Sequence, residues 1–149
     1  MKLDEVIKSN RFANEKHKAS LNMLYTAYWF KDKLIAALKP HGITIEQHNV
    51  LRILKGSHPT EMRVKDILSR MVEKISNVPR IIDKLVEKKL AERSVSEKDK
   101  RETYVTLTEK GIATIEKARK TVDQVTDELL MINEGEAAQL NDLLEKMRG

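Results

Sequence analysis

Residues 76–107 read SNVPRIIDKLVEKKLAERSVSEKDKRETYVTL, and the period of the pattern changes part-way through. In the first half Val78, Ile81, Ile82, Leu85 and Val86 recur at the three- and four-residue spacing of one buried helical face. Ser76, Asn77, Arg80, Asp83, Lys84 and Glu87 lie outside that stripe and form a polar outer face with a basic N-terminal end. Ser76 is the expected N-cap, and Pro79 fits only near a helix start, where its missing N–H is no loss. In the second half Arg93-Ser94-Val95 and Thr103-Tyr104-Val105-Thr106-Leu107 are rich in β-branched and aromatic residues and read as strands, with a charged tip over residues 96–102. Just upstream, Met62 to Val64 reads as a short edge strand, and Val64, Ile67, Leu68 and Met71 predict a helix of about two turns. Two short helices joined by a tight turn and followed at once by a hairpin make a winged helix-turn-helix.

Working outward, Leu21, Leu24, Tyr28, Ile35 and Leu38 put one apolar stripe on a helix from Asn14 to Leu38, ended by Pro40 and Gly42. At 1.5 Å per residue it is roughly 37 Å long, more than one small core covers, so it seeks a second helix, often from another chain. Residues 1–13 read as a short helical lead-in or a loose arm. Thr44-Ile45-Glu46-Gln47 is a capping box that opens a helix with Gln47, Val50, Leu51 and Leu54 on one face. Thr108 caps a helix with Ile115, Ala118, Val122, Val125 and Leu129 inward, and Asn133 to Glu136 opens a last helix with a stripe of Leu140, Leu143, Leu144 and Met147. The expected fold is mainly α with a small β-hairpin wing, a winged helix-turn-helix with long dimerisation helices. It forms a single domain over 1–149, with a DNA-binding lobe at about 44–107 and a dimerisation region at about 1–39 and 108–149.

Composition narrows the function classes. Hydrophobic residues make up 40% and charged residues 34% of the 149, too apolar for a disordered chain and too charged for a membrane protein. The N-terminus has no apolar signal segment, so a cytoplasmic protein is expected, with no membrane partner. There is no cysteine, which removes disulfides, thiolate metal sites and a thiol nucleophile. His17, His41, His48 and His58 show no helical metal-ligand spacing, and no phosphate loop, dinucleotide fingerprint or nucleophile elbow appears. No metal, cofactor or enzymatic activity is therefore expected. Net charge is +5 over residues 1–60, +3 over 61–104 and −3 over 105–149, a distribution that suits a partner carrying phosphates.

The run Leu85-Val86-Glu87-Lys88-Lys89-Leu90-Ala91-Glu92-Arg93, then Asp99-Lys100-Arg101, then Val105-Thr106-Leu107-Thr108-Glu109-Lys110-Gly111 resembles the signature of the MarR family of regulators. The flanking long helices fall where that family has them, so the resemblance spans essentially the whole chain. It implies a dimeric DNA-binding regulator whose first and last two helices form the dimer base. It further implies a helix-turn-helix in the major groove, a wing arginine in the minor groove, and in many members release from DNA by a small, often phenolic, ligand. Lys89 departs from the pattern, because the family usually has glycine there. Glycine ends a helix in the left-handed conformation without a Cβ penalty, so Lys89 is expected at φ > 0.

On this reading the DNA-binding candidates are Ser76, Asn77, Arg80 and Lys84 on the recognition helix and Lys98, Asp99, Lys100 and Arg101 on the wing. Ser and Asn bond phosphates or base edges, and Arg takes guanine O6 and N7 together. Arg101 would enter a narrow minor groove, with Asp99 orienting it. Against this stand plain helix capping and a solvated charged tip. Lys65 and Lys74 are candidate phosphate contacts. Tyr25, Tyr28, Trp29 and Phe30 gather four of the six aromatics, for which core or interface packing is the favoured reading. The functional alternative is a pocket for a small aromatic ligand formed by Tyr25, Trp29 and His48. The expected function is a dimeric, sequence-specific transcriptional regulator, a repressor that a small molecule releases from a pseudo-palindromic operator in double-stranded DNA. The alternatives are a sequence-tolerant architectural DNA-binding protein and a winged-helix protein-interaction module, the latter disfavoured by Arg101, Arg80 and Asn77.

Overall fold

A computed structural model describes residues 1–149 apart from Ile75, Glu97, Lys98, Lys100 and Arg101. In chain order the elements are α1 (Leu3–Val6), α2 (Glu15–Leu38), a 3-10 turn (Lys39–His41), α3 (Ile45–Ser57), β1 (Met62–Arg63), α4 (Val64–Arg70), α5 (Val78–Glu87), β2 (Ala91–Val95), β3 (Thr103–Leu107), α6 (Glu109–Leu129) and α7 (Glu134–Arg148). The antiparallel sheet has the order β1-β3-β2, with Met62 opposite Val105 and Ala91 opposite Leu107. The strand expected from Arg93 begins two residues earlier, because Ala91 and Glu92 already pair with Leu107 and Thr106. Among the described residues no helix is long and apolar enough to cross a membrane.

The core lies where the helix-turn-helix meets the sheet and α6. Leu51 of α3, Ile67 of α4, Val78, Ile82 and Leu85 of α5, and Val105 of β3 are fully enclosed, with Ile115 and Ala118 of α6 closing one side. Each large side chain buried in this way contributes about 1.5–3 kcal/mol. Of the expected α5 stripe, Ile81 is half-buried and Val86 is exposed, so the helix buries a narrower face than its periodicity suggested. The predicted caps at Thr44, Thr108 and Asn133 form, with reciprocal capping boxes at Thr44–Gln47 and Asn133–Glu136, and Asn14, expected as the first residue of α2, is its N-cap. Outside the lobe burial is thin. Leu38 is the only buried residue of α2, α7 has none, and Leu24, Tyr28, Ile35, Leu140, Leu143 and Met147 are exposed.

The end of α5 is held from two sides. Lys89 takes φ +59°, the left-handed conformation its sequence position called for. The Leu90 N–H donates to the Leu85 carbonyl and the Lys89 N–H to the Val86 carbonyl, both at 2.9 Å, which is the Schellman pattern of helix termination. From one side the Lys88 ammonium reaches the Gly42 carbonyl at 2.7 Å and Gln47 Oε1 at 2.8 Å. From the other, the start of α6 docks on the same turn. The Thr108 hydroxyl donates to the Lys89 carbonyl at 2.7 Å and accepts the Gly111 N–H at 2.9 Å, while the Thr108 N–H donates to the Leu90 carbonyl. Gly111 is required by close approach, since a Cβ there would lie 1.9 Å from the Leu90 carbonyl oxygen.

Two substitutions at this junction should move stability in opposite directions. Lys89→Gly relieves the Cβ strain of a left-handed residue and should raise stability by up to about 1 kcal/mol. Gly111→Ala forces the two helices apart and should lower it by roughly 1–3 kcal/mol. Denaturant midpoints of the three proteins check both signs.

Candidate nucleic-acid interface

The outward face of α5 is assembled by its first turn. Its N-cap is Asn77, whose Oδ1 accepts the Arg80 N–H at 3.2 Å, and not Ser76 as the sequence suggested. The reason is Pro79. A cap at Ser76 would put Pro79 at the third helical position, where the capping oxygen needs an N–H that proline lacks, whereas a cap at Asn77 gives that position to Arg80. Ser76 is half-buried, and its hydroxyl has no hydrogen-bond partner among the described residues. With Val78, Ile82 and Leu85 fixed inward, Asn77, Arg80, Asp83, Lys84 and Glu87 are exposed.

Their charges are not equivalent. Lys84 pairs with Glu87 at 2.9 Å, and Asp83 pairs with Arg93 of β2 at 2.6 Å. The Arg80 guanidinium engages no partner among the described residues. A groove of about 610 Å³ separates α5 from the wing, lined by Val64, Lys65, Ser76, Pro79, Arg93 and Thr103, among others. Lys65 reaches Glu102 at 3.5 Å, and the Lys74 ammonium is tied to the Ser69 carbonyl at 2.7 Å. Asp99 is exposed at the wing, its carbonyl accepting the Glu102 N–H. Lys98, Lys100 and Arg101 lie outside the described residues.

Two braces that the sequence did not disclose fix the wing. Arg93 forks between Asp83 and the Pro79 carbonyl, joining β2 to α5. At the base of β3, Arg63 bonds Asp66 at 2.8 Å and Glu102 at 3.3 Å, and the Tyr104 hydroxyl donates to Glu102 at 3.1 Å. The Tyr104 hydroxyl, helped by Arg63, holds the Glu102 carboxyl below its ordinary value, and the Arg63 hydrogen bond does the same for Asp66. Tyr104 is raised in turn by its bond to Glu102. The i,i+3 spacing of Arg63 and Asp66 was a visible signal. The pairing of Arg63 with Tyr104 across the sheet was not, because it needs the β1–β3 register.

A model of the transcriptional regulators SarA/Rot matches residues 33–118, more than half the chain and all of the lobe just described. The chain belongs to the SarA/Rot family of transcriptional regulators. This SarA/Rot-family chain is a MarR-type winged helix-turn-helix protein, a DNA-binding regulator and not an enzyme. It is similar to E. coli MarR complexed with operator DNA, with 25% identity, 93% of this chain and 99% of that one covered, and a TM-score of 0.79. It is also similar to S. aureus MepR in a DNA complex, with 27% identity, 86% and 94% covered, and a TM-score of 0.75. It shares its fold with Rhodococcus jostii CouR bound to p-coumaroyl-CoA, at 19% identity, 91% and 95% coverage and a TM-score of 0.75. No curated protein sequence matches it.

The expected ligand-pocket residues do not come together. Tyr25 and Trp29 line a cavity of about 250 Å³ with Met1, Leu3 and Val6, under the N-terminal helix α1. His48 does not line it. It sits half-buried on α3, with its pKa lowered by burial and then by Arg52. The helical spacing could not show that α1 folds over Tyr25 and Trp29. A larger cavity of about 440 Å³ lies between α2 and the start of α3, lined by Lys31, Ile35, Lys39, Ile43, Ile45 and Glu46. Among the described residues no group of three or more His, Asp or Glu could hold a metal ion.

The wing brace is linked to pH with a definite sign. A carboxylate lowered in the folded state stabilises fully above its unfolded value, about 4.5 for Glu102, and that contribution fades as pH falls through the lowered folded value. Following the Glu102 carboxyl by NMR titration should give a midpoint below 4.5. Tyr104→Phe should raise it, since the Tyr104 bond is the largest single cause of the lowering.

Proposed function

We propose that the protein is a homodimeric repressor that binds a pseudo-palindromic operator and is released from it by a small molecule. The observation carrying this reading is the outer face of α5, where Asn77, Arg80 and Lys84 stand exposed on a helix whose other face is locked into the core. Arg80 is set to take a guanine edge in the major groove, with Asn77 and Ser76 near the backbone and Lys65 and Lys74 toward phosphates. Residues 98–101, with Arg101 foremost, act at the minor groove, and Asp99 orients that arginine. The reading lobe is residues 44–107, and residues 1–39 and 108–149 form the dimer base. Support for the dimer is the unpartnered apolar surface of α2 and α7, which one chain leaves in water. Support for ligand control is the 440 Å³ cavity where α2 meets the lobe, within the size range of small-molecule sites and lined by Ile35, Ile43 and Ile45 with Lys31, Lys39 and Glu46.

Selection of bound duplexes from a random pool tests the reading. The selected site should be a pseudo-palindrome with half-site centres about 34 Å apart, and sedimentation should give a dimer at micromolar concentration. Competition with random duplex should show a preference of ~10³ or more. A stable monomer, or equal binding of all duplexes, would overturn it.

Arg101→Ala probes the wing. Operator affinity should fall at least about tenfold, more on A·T-rich flanks than on G·C-rich ones, and the slope of log K against log salt should shrink by roughly 2 per dimer. Lys100→Ala should give a smaller loss that is uniform across flanks. Wild-type affinity in Arg101→Ala over a range of salt would remove the wing from DNA reading.

A further inference from the structure

Asp83 is an awkward residue for a DNA-reading face. It lies three residues after Arg80 on α5, the spacing at which opposite charges on a helix meet, so a free Asp83 would draw in the Arg80 guanidinium. In the structure Asp83 instead bonds Arg93 of β2 at 2.6 Å, and the second arm of the Arg93 fork takes the Pro79 carbonyl at 3.0 Å. The Asp83 carboxylate is about half exposed, so the pair adds little to folding, and its consequence is where the charges go.

We propose that Arg93 is a positioning residue that masks Asp83 and so keeps Arg80 unpaired for DNA. The planar fork suits this, because the Pro79 carbonyl aims the guanidinium at Asp83 before any DNA arrives. The mask also neutralises a carboxylate that would face the phosphates. Neither role requires Arg93 to touch DNA. The proposal rests on the reading of α5 as the DNA-contacting helix, and it makes Arg80 the charge on which specificity turns.

The test is a rescue experiment on the full chain with the operator obtained by duplex selection. Arg93→Ala should lower affinity at least about tenfold, since a guanine-reading arginine is captured in each subunit. Arg93→Gln, which keeps a donor for the Pro79 carbonyl, should lose affinity similarly and guards against misfolding. Asp83→Asn alone should bind within about threefold of wild type. The double variant Arg93→Ala with Asp83→Asn should recover to that level, because the carboxylate three residues after Arg80 on the same helix is gone. A double variant as weak as Arg93→Ala would mean that Arg93 acts on DNA or on wing geometry directly, and the proposal would fall. So would wild-type affinity in Arg93→Ala. A readout without DNA separates this proposal from the function it rests on. In the free protein, hydrogen exchange at Arg80 Nε–H should slow in Arg93→Ala and return to the wild-type rate in the double variant. If no duplex is preferred but this exchange pattern appears, the mask is real and the DNA reading is wrong. If exchange does not change, the mask is wrong.

Discussion

The Leu90 carbonyl occupies the space that a Cβ on residue 111 would need, and the last turn of α5 is thereby pressed directly against the first turn of α6. Most of the lobe follows from that contact. It demands glycine at 111, a hydroxyl at 108 that faces both helices, and a helix end that turns away within two residues. The left-handed Lys89 makes that turn and sends the chain straight into β2. Because β2 starts there, the hairpin emerges at a fixed angle to α5, and Arg93 comes within reach of Pro79 and Asp83. A glycine at 89 would end the helix with less strain. Lysine there is tolerated because neighbours on both sides hold the turn.

Charge is divided on the same frame. The described cations of the lobe are mostly committed: Arg63 to Asp66 and Glu102, Lys84 to Glu87, Lys88 to Gly42 and Gln47, and Arg93 to Asp83. These bonds are partly exposed and add little stability individually. Their effect is orientation: the Arg63–Glu102, Lys88 and Arg93 bonds join elements far apart in sequence, while Arg63–Asp66 and Lys84–Glu87 are local i,i+3 pairs. The buried Asn49 works alike, its Oδ1 accepting the Val72 N–H at 3.0 Å and so holding the turn between α4 and α5.

Local features are legible in the sequence because they have local causes. The two capping boxes and the left-handed Lys89 depend on residues within four positions of one another and appear where the pattern placed them, whereas the helical stripes mark the helices but not how much of each stripe is buried. The misjudged cap at Ser76 was also local. Serine is a good cap by type, but Pro79 denies it the N–H it needs. Long-range pairings were opaque. Arg93 with Asp83 and Arg63 with Glu102 require the helix–sheet angle and the strand register. That His48 does not line the cavity shared by Tyr25 and Trp29 was hidden for the same reason, because proximity along neighbouring helices does not say which faces meet.

The docking of α6 on α5 has a mechanical side. Three bonds, from the Thr108 N–H, the Thr108 hydroxyl and the Lys110 ammonium, fasten the root of α6 to the carbonyls of Leu90, Lys89 and Lys88. With 21 residues, α6 is a rod of about 31 Å with the α5 end clamped to its root. A tilt of about 5° about one end of such a rod carries the other through roughly 2.7 Å, close to the ~3.4 Å rise between successive bases of DNA. The rod magnifies small adjustments at its distal end near Leu129 into steps comparable with base spacing, while the clamped joint itself need not deform.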